Sequence, residues 1–459
     1  MFSIKTTSGS ITIVLADALL SYVVFWLFLF ILSSHPEWLA SDSLYRHHTY
    51  IIFTLIIILS LSFAGFYSFR EHIYPFEMLK QIIPAFLLSF GAIATLGLFI
   101  KGITLLQWRL FPPLGIIYSL VFILRTFQFY ILSKNRERIL ILGATDQSRE
   151  IIKEARSKKL RGYEIVGIAT SRESEVKSVF QDIPVLGHMD QLDNILRDNA
   201  INSIVVTLRD RRGKLPVREL LKSKMANITV QEGVTFYEKV KRKIIIDEFL
   251  KPSWFIFENG FCHTSLHGSI KRTQGVTVSF ILLSILSPVL ILVCVLIKLD
   301  SPGPFFFLQE RIGLNGTIFN LIKFRSMTHE AESRTGPVFA QKNDPRVTRV
   351  GRIIRKIRLD EIPQLINIFK GDMDMVGPRP ERPVFVKQLR ESVPYYELRH
   401  TVRPGLTGWA QVNYPYGASI EDGKEKLQYD LYYVKHFSWH MDLLIILLTI
   451  KEVLFGGGR

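Results

Sequence analysis

Four apolar stretches fill the first third of the chain, at about residues 11–32, 50–69, 81–100 and 112–132. Each is close to the ~20 residues that carry an α-helix across the hydrocarbon of a bilayer, and the links between them are short. The pattern predicts a helical bundle of four membrane spans. From residue 138 the period changes: RILILG, IIKEARSKK, YEIVGIA, IPVLG, DQLDNILRDN and INSIVVTL alternate short buried-type runs with amphipathic ones up to about residue 250. That alternation predicts a parallel sheet covered by helices. Residues 244–261, which contain PSWFIFENGF, read as a strand pair leading into the next part of the chain.

A fifth apolar run, 276–297, is broken by Ser287-Pro288. A proline inside a helix removes one hydrogen bond and clashes with the carbonyl four residues back, and a neighbouring serine can satisfy the freed carbonyl. Lys271 and Arg272 precede the run and Lys298 follows it. With basic residues at both ends, a re-entrant hairpin returning to one membrane face fits as well as a kinked span. The last apolar run, 441–455, is too short to span and predicts an interfacial or packing helix.

Composition agrees with this division. The 459 residues are 48% hydrophobic with a mean hydropathy of +0.21, and the net charge is +16. The loop cations divide weakly: Lys5, Arg70 and Lys80 against Arg46, Lys101 and Arg109. Lys134, Arg136 and Arg138 directly after the fourth run decide the orientation, with both termini cytoplasmic. No small-residue cleavage site follows the first run, so it is not read as a signal peptide. The charge favours an anionic membrane surface. Nucleic acid is not expected as a partner, because no basic patch interleaved with aromatics accompanies the charge. Two cysteines, Cys262 and Cys294, exclude a disulfide framework or a zinc site.

The α/β module carries little chemistry of its own. A dinucleotide site wants G-x-G-x-x-G after its first strand, and here only Gly143 stands in LGATDQSRE. No acid ends the second strand, where Ile168 leads into Ala169, Thr170 and Ser171. Tyr237 and Lys241 have the Y-x-x-x-K spacing of nucleotide-sugar epimerases and dehydratases, but without the glycines they read as one face of a charged segment. A membrane-anchored dehydratase or epimerase is therefore the alternative function, not the leading one.

The chemistry concentrates in RLDEIPQLINIFKGDMDMVGPRP, residues 358–380. Pro363 suits the start of a helix through Phe369, which places Asp360 and Glu361 at its N-terminus, where free N–H groups keep carboxylates ionised. Adjacent helical residues diverge by about 100°, so the two acids cannot share a proton and should divide their work. One can act as nucleophile while the other holds Mg²⁺ through oxygen. Lys323, Arg325, Arg346, Arg349, Arg352, Arg355 and Arg358 crowd the approach to the pair, enough to cradle phosphates.

SPGP, KFRSM, RLDEIPQL, KGDM, VGPRPERP and RPGLTGWAQVN together resemble the bacterial sugar transferase family, the monotopic polyprenyl-phosphate glycosyl-1-phosphate transferases, and cover most of residues 271–455. The whole chain is similar to the large form of that family. The resemblance implies a transmembrane region at 1–134, a Rossmann-like module at 135–250, a linker at 251–270, and a mainly α-helical monotopic catalytic domain at 271–459. It places a re-entrant helix at 274–298 with its break at Ser287 and Pro288. It implies that Asp360 attacks a UDP-sugar, releasing UMP, that Glu361 binds Mg²⁺, and that undecaprenyl phosphate then takes the sugar phosphate to begin an exopolysaccharide or related glycan. Lys323, Arg325 and Arg355 would serve the phosphate site, and Pro378, Arg379 and Pro380 the uridine diphosphate. The implied setting is the bacterial inner membrane, multi-pass, with the catalytic domain on the cytoplasmic face of the lipid bilayer and room for a homo-oligomer. The chain departs from the family at Asp374, where serine is usual, and at Tyr414-Pro415, where some members have Gly-Arg.

Overall fold

A computed structural model describes residues 5–32, 43–64, 66–67, 75–99, 111–134, 136–154, 163–172, 178–208, 215–246, 250–261, 265–328, 344–415, 417 and 419–455. Cys262, Arg70, Lys101 and Arg109 lie outside the described residues. The chain forms two compact units, Met1–Phe236 and Tyr237–Arg459.

The first unit opens with four helices at the predicted apolar runs: α1 (Lys5–Leu32), α2 (Ser43–Phe63), α3 (Pro75–Phe99) and α4 (Phe111–Lys134). They bury Phe25, Phe53, Ile57, Leu61, Ala85, Ile93, Leu114 and Ile117 against one another. One charged pair interrupts that core. Arg125 on α4 donates to Asp17 Oδ2 on α1 at 2.8 Å, and the Tyr67 hydroxyl donates to the same oxygen at 3.0 Å. An ionisable pair among apolar helices has to satisfy itself, and these three side chains do so.

The α/β module follows with β1 (Glu137–Leu142), α5 (Asp146–Glu154), β2 (Tyr163–Thr170), β3 (Val179–Phe180), β4 (Ile183–His188), α6 (Leu192–Asp198), β5 (Ser203–Val206), α7 (Val217–Met225), β6 (Thr229–Glu232) and α8 (Gly233–Lys241). The sheet order is β3-β4-β2-β1-β5-β6, parallel except for the β3–β4 hairpin, as the alternating pattern predicted. Ile139 to Leu142 are fully buried because helices pack on both faces.

Residues from Tyr237 onward group with the second unit: Lys435 bonds Glu238 Oε2 at 2.7 Å, and Ile244 N bonds Gln428 O at 2.9 Å. Among the described residues of 244–261 the predicted strand pair does not form. Pro252 instead opens a short helix, α9 (Pro252–Phe257), where proline at the first turn loses no hydrogen bond, and Trp254 anchors it.

α10 (Ser265–Asp300) is helical throughout, with Pro288 inside it. Ser287 Oγ donates at 2.8 Å to Ser284 O, the carbonyl four residues before Pro288. Among the described residues, only 268–300 forms a helix long and apolar enough to cross a membrane. The unit continues with β7 (Phe306–Ile312) paired antiparallel to β8 (Ile318–Phe324), then α11 (Arg349–Lys356), a 3₁₀ turn (Leu359–Glu361), α12 (Gln364–Lys370), β9 (Asp374–Val376) and α13 (Pro383–Ser392). A second 3₁₀ turn (Tyr396–Thr401) precedes β10 (Gly405–Thr407), which pairs parallel with β9, and α14 (Trp409–Asn413), α15 (Ile420–Lys435) and α16 (Trp439–Phe455) close the chain.

Both ends of α10 are tied to this unit. Near its start, Arg272 donates to the Ile368 and Phe369 carbonyls at the end of α12, and Gly275 approaches Ile368. Near its end, Val293 and Ile297 pack with Phe324 and Ile354. Between them Ile285, Pro288 and Val289 stay exposed.

Candidate active site

Asp360 and Glu361 lie in the 3₁₀ turn that joins α11 to α12, at the N-terminus of the helix that Pro363 begins. The turn is entered through Arg358, whose φ of 56° is left-handed. A non-glycine residue there costs about 1 kcal/mol or more. Glu361 N bonds the Arg358 carbonyl at 3.3 Å and Ile362 N bonds Leu359 O at 3.2 Å, so the strained residue starts the turn that presents both acids. Pro363 is the N-cap of α12 and Gly371, at φ 105°, its left-handed stop.

α12 is fastened to β8 by a side chain that the sequence did not single out. Asn367, 1% exposed, accepts from Ile322 N at 2.9 Å and donates to Asn320 O at 2.8 Å, imitating a neighbouring strand. Leu365 and Ile368 pack on Leu321 beneath it. Lys323, on the same strand, consequently reaches Glu361 Oε1 at 3.6 Å. Arg379 comes from the loop after β9 and donates to that oxygen at 2.7 Å.

The two carboxyls are pushed apart in acidity. Burial and the charge of Glu361 push Asp360 up to about 6, against the opposing pull of Lys323, Arg355 and Arg379. At neutral pH Asp360 is still mostly ionised, as its place at the helix start leads one to expect, but desolvation brings its proton within reach. Burial would raise Glu361 too, but Arg379 and Lys323 overcome it and hold Glu361 well below the usual carboxylate range. Burial draws Lys323 down, and Glu361 opposes that. Burial and the surrounding cations thus set two neighbouring carboxyls apart in acidity.

Lys323, Arg355 and Arg379 converge on the acidic pair. Pro378 and Pro380 are buried and flank Arg379. Arg325 does not join them. It is 4% exposed and turns to the end of α10, donating to Pro302 O at 2.7 Å, Ser301 O at 2.7 Å and Ser301 Oγ at 2.9 Å. A helix C-terminus leaves carbonyls open, and a guanidinium fork suits them. Arg346 is bound to Asp344 by two short bonds, 2.8 and 2.6 Å, and Arg349 and Arg352 are exposed. Ser287 and Pro288 sit on the exposed stretch of α10. Asp374 is buried, with Lys271 Nζ 3.6 Å away, and Lys271 also meets Asp442 at 3.4 Å and the Tyr433 hydroxyl at 2.5 Å. Its carboxylate therefore belongs to the joint between α10, β9 and α16.

In the α/β module the turn after β1 is hydrogen-bonded to its own side chains. Thr207 Oγ1 lies 2.9 Å from both Leu142 O and Gly143 O, Thr145 Oγ1 donates to Thr207 O at 3.1 Å, and Thr145 N is taken by Ser148 Oγ at 2.7 Å.

Compared with known families, residues 266–456 match the bacterial sugar transferase family and residues 62–227 match a CoA-binding domain. The chain is 47% identical over 193 residues to the UDP-N-acetylgalactosamine-undecaprenyl-phosphate N-acetylgalactosaminephosphotransferase of Aeromonas hydrophila, covering 42% of this chain and 45% of that protein. It is 40% identical over 186 residues to the UDP-glucose:undecaprenyl-phosphate glucose-1-phosphate transferase of Caulobacter vibrioides, covering 40% and 69%. A protein of that same name from Klebsiella pneumoniae is 28% identical over 431 residues, covering 89% and 90%. The chain thus spans less than half the length of the Aeromonas relative.

Proposed function

The chain belongs to the bacterial sugar transferase family, and from that membership we propose that it transfers a sugar 1-phosphate from a UDP-sugar to undecaprenyl phosphate through an aspartyl phosphosugar. The observation that carries the reading is the split pair: Glu361 held anionic by Arg379 and Lys323 beside Asp360 near its titration point. An Asp360 oxygen attacks the β-phosphorus of the donor, the bond to the α-phosphate oxygen breaks, and UMP leaves. An oxygen of the lipid phosphate then attacks the same phosphorus and Asp360 departs with its electron pair. Two displacements let one small site handle two anionic substrates in turn. Lys323, Arg355 and Arg379 offset charge on the transferring phosphoryl oxygens.

A magnesium ion fits the donor set. Hard oxygens of one or two carboxylates with substrate phosphates are its usual holders, and Lys323 and Arg379 both meet Glu361 at Oε1. Glu361 is the residue that would hold it, and the ion would offset charge on the leaving phosphate.

We place α1–α4 across the bacterial inner membrane and α10 as a re-entrant helix, with the catalytic unit on the cytoplasmic face. Exposed Leu15, Leu19, Leu55, Leu87 and Phe127 on the bundle, and Phe280, Ile285, Ile291 and Leu299 on α10, support lipid contact. Attachment of both ends of α10 to one unit supports re-entrance, because a helix that crossed would carry one end away. Membership of the sugar transferase family argues against a dehydratase or epimerase.

The test is UMP release from a panel of UDP-sugars with undecaprenyl phosphate and Mg²⁺. The wild type should release UMP, and Asp360→Asn should fall by at least about 10³-fold, the scale for losing a nucleophile. Full activity in Asp360→Asn would sink the covalent route.

A further inference from the structure

The loop that delivers Arg379 has few backbone donors of its own, because Pro378 and Pro380 lack N–H groups, and the carbonyls of residues 378–381 are gripped from outside. All four are. Pro378 O accepts from Gly405 N at 3.0 Å, Arg379 O from Arg399 Nη2 at 2.9 Å, Pro380 O from Arg311 Nη1 at 2.8 Å, and Glu381 O from Ile312 N at 3.0 Å.

Arg399 is the grip directly on Arg379. It sits in the second 3₁₀ turn, 5% exposed, and a buried cation is costly unless paired. Asp430 on α15, 1% exposed, meets its Nη2 at 2.8 Å, and its Nη1 donates to the Tyr396 hydroxyl at 2.6 Å. One rigid fork thus spans a carbonyl, a carboxylate and a phenol, which a lysine ammonium cannot do at once. Arg379 at the loop's crest then bonds Glu361 at 2.7 Å.

We propose that Arg399, anchored by Asp430, is a positioning residue that sets the Arg379 guanidinium against Glu361 by holding the Arg379 carbonyl. Arg399 acts on the reacting groups only through Arg379. The proposal rests on the reading that Glu361 and Arg379 serve the phosphate site, and it adds a part of the molecule that the family motifs in 358–380 do not contain.

The test is a double-variant cycle on the full chain in detergent. Arg399→Lys should lower kcat/KM for the UDP-sugar about tenfold in the wild-type background, a usual size for a residue that orients a site group. In an Arg379→Gln background the same change should cost less than about twofold, because the group it positions is already gone. Equal losses in both backgrounds overturn the proposal. A structure of the Arg399→Lys chain gives a readout without turnover: Arg379 should have left Glu361, and an intact bond overturns the proposal as well. Absence of UMP release from the wild type would count against the functional reading alone and leave that structural readout to decide.

Discussion

Asp360 and Glu361 are neighbours in the chain with acidities pushed in opposite directions, and the difference predicts how the rate should follow pH. Asp360 must be ionised to attack, and its folded value of about 6 lies above the ordinary 3.8. The rate constant kcat/KM should therefore fall as pH drops through about 6, by tenfold per unit below it. Glu361→Gln removes a neighbouring negative charge that raises Asp360, so the limb in its residual turnover should move to lower pH. Arg379→Gln removes a positive charge that lowers Asp360, so its limb should move up. Limbs that shift in the same direction in both variants would contradict the assignment. Much of this site was legible in the sequence, because an acidic pair, a helix-starting proline and dense arginines are properties of residue type and spacing. The partner of each arginine was not. Arg325 and Arg355 look alike in the chain, and only the packing shows one gripping the end of α10 while the other faces Asp360. Asn367 and Arg399 gave no such signal, since each acts through backbone groups distant in sequence.

At the scale of elements, α10 is held by arginines at both ends in complementary ways. Its own Arg272 satisfies the last carbonyls of α12, and Arg325, just after β8, donates to the Ile297 carbonyl of its last turn and to the Ser301 and Pro302 carbonyls just past it. Arg325→Met should therefore cost about 2–4 kcal/mol, since several buried carbonyls lose a charged donor at once. Thermal unfolding of the full chain measures this, and kcat of the surviving folded enzyme should change far less than in Arg379→Gln. A collapse of kcat without loss of stability would return Arg325 to the phosphate site where the sequence placed it. The apolar runs and alternating strands were legible because they are periodic over ten or more residues. The six-residue α9 was not, because an aromatic run beside a proline carries no period that separates a short helix from a strand.

For the whole molecule, the family name resides in residues 266–456, while the bundle and the α/β module add an ion pair, Asp17 with Arg125, and a turn after β1 bonded to its own threonines. Neither of these was visible in the pattern: two lone charges inside apolar runs read as interruptions until the helices face each other. Global stability and turnover meet at Arg358, the left-handed residue before the acidic pair. Arg358→Gly should unfold at a higher temperature, because glycine adopts φ 56° without steric cost. The same variant should turn over more slowly, because it takes a positive charge from beside Glu361, where a substrate phosphate would lie. Lower unfolding temperature with unchanged turnover would refute this. A population selected for heat tolerance alone should then drift toward glycine at this position and grow steadily worse at its chemistry, whereas one selected for glycan output should keep the arginine and remain the more fragile enzyme.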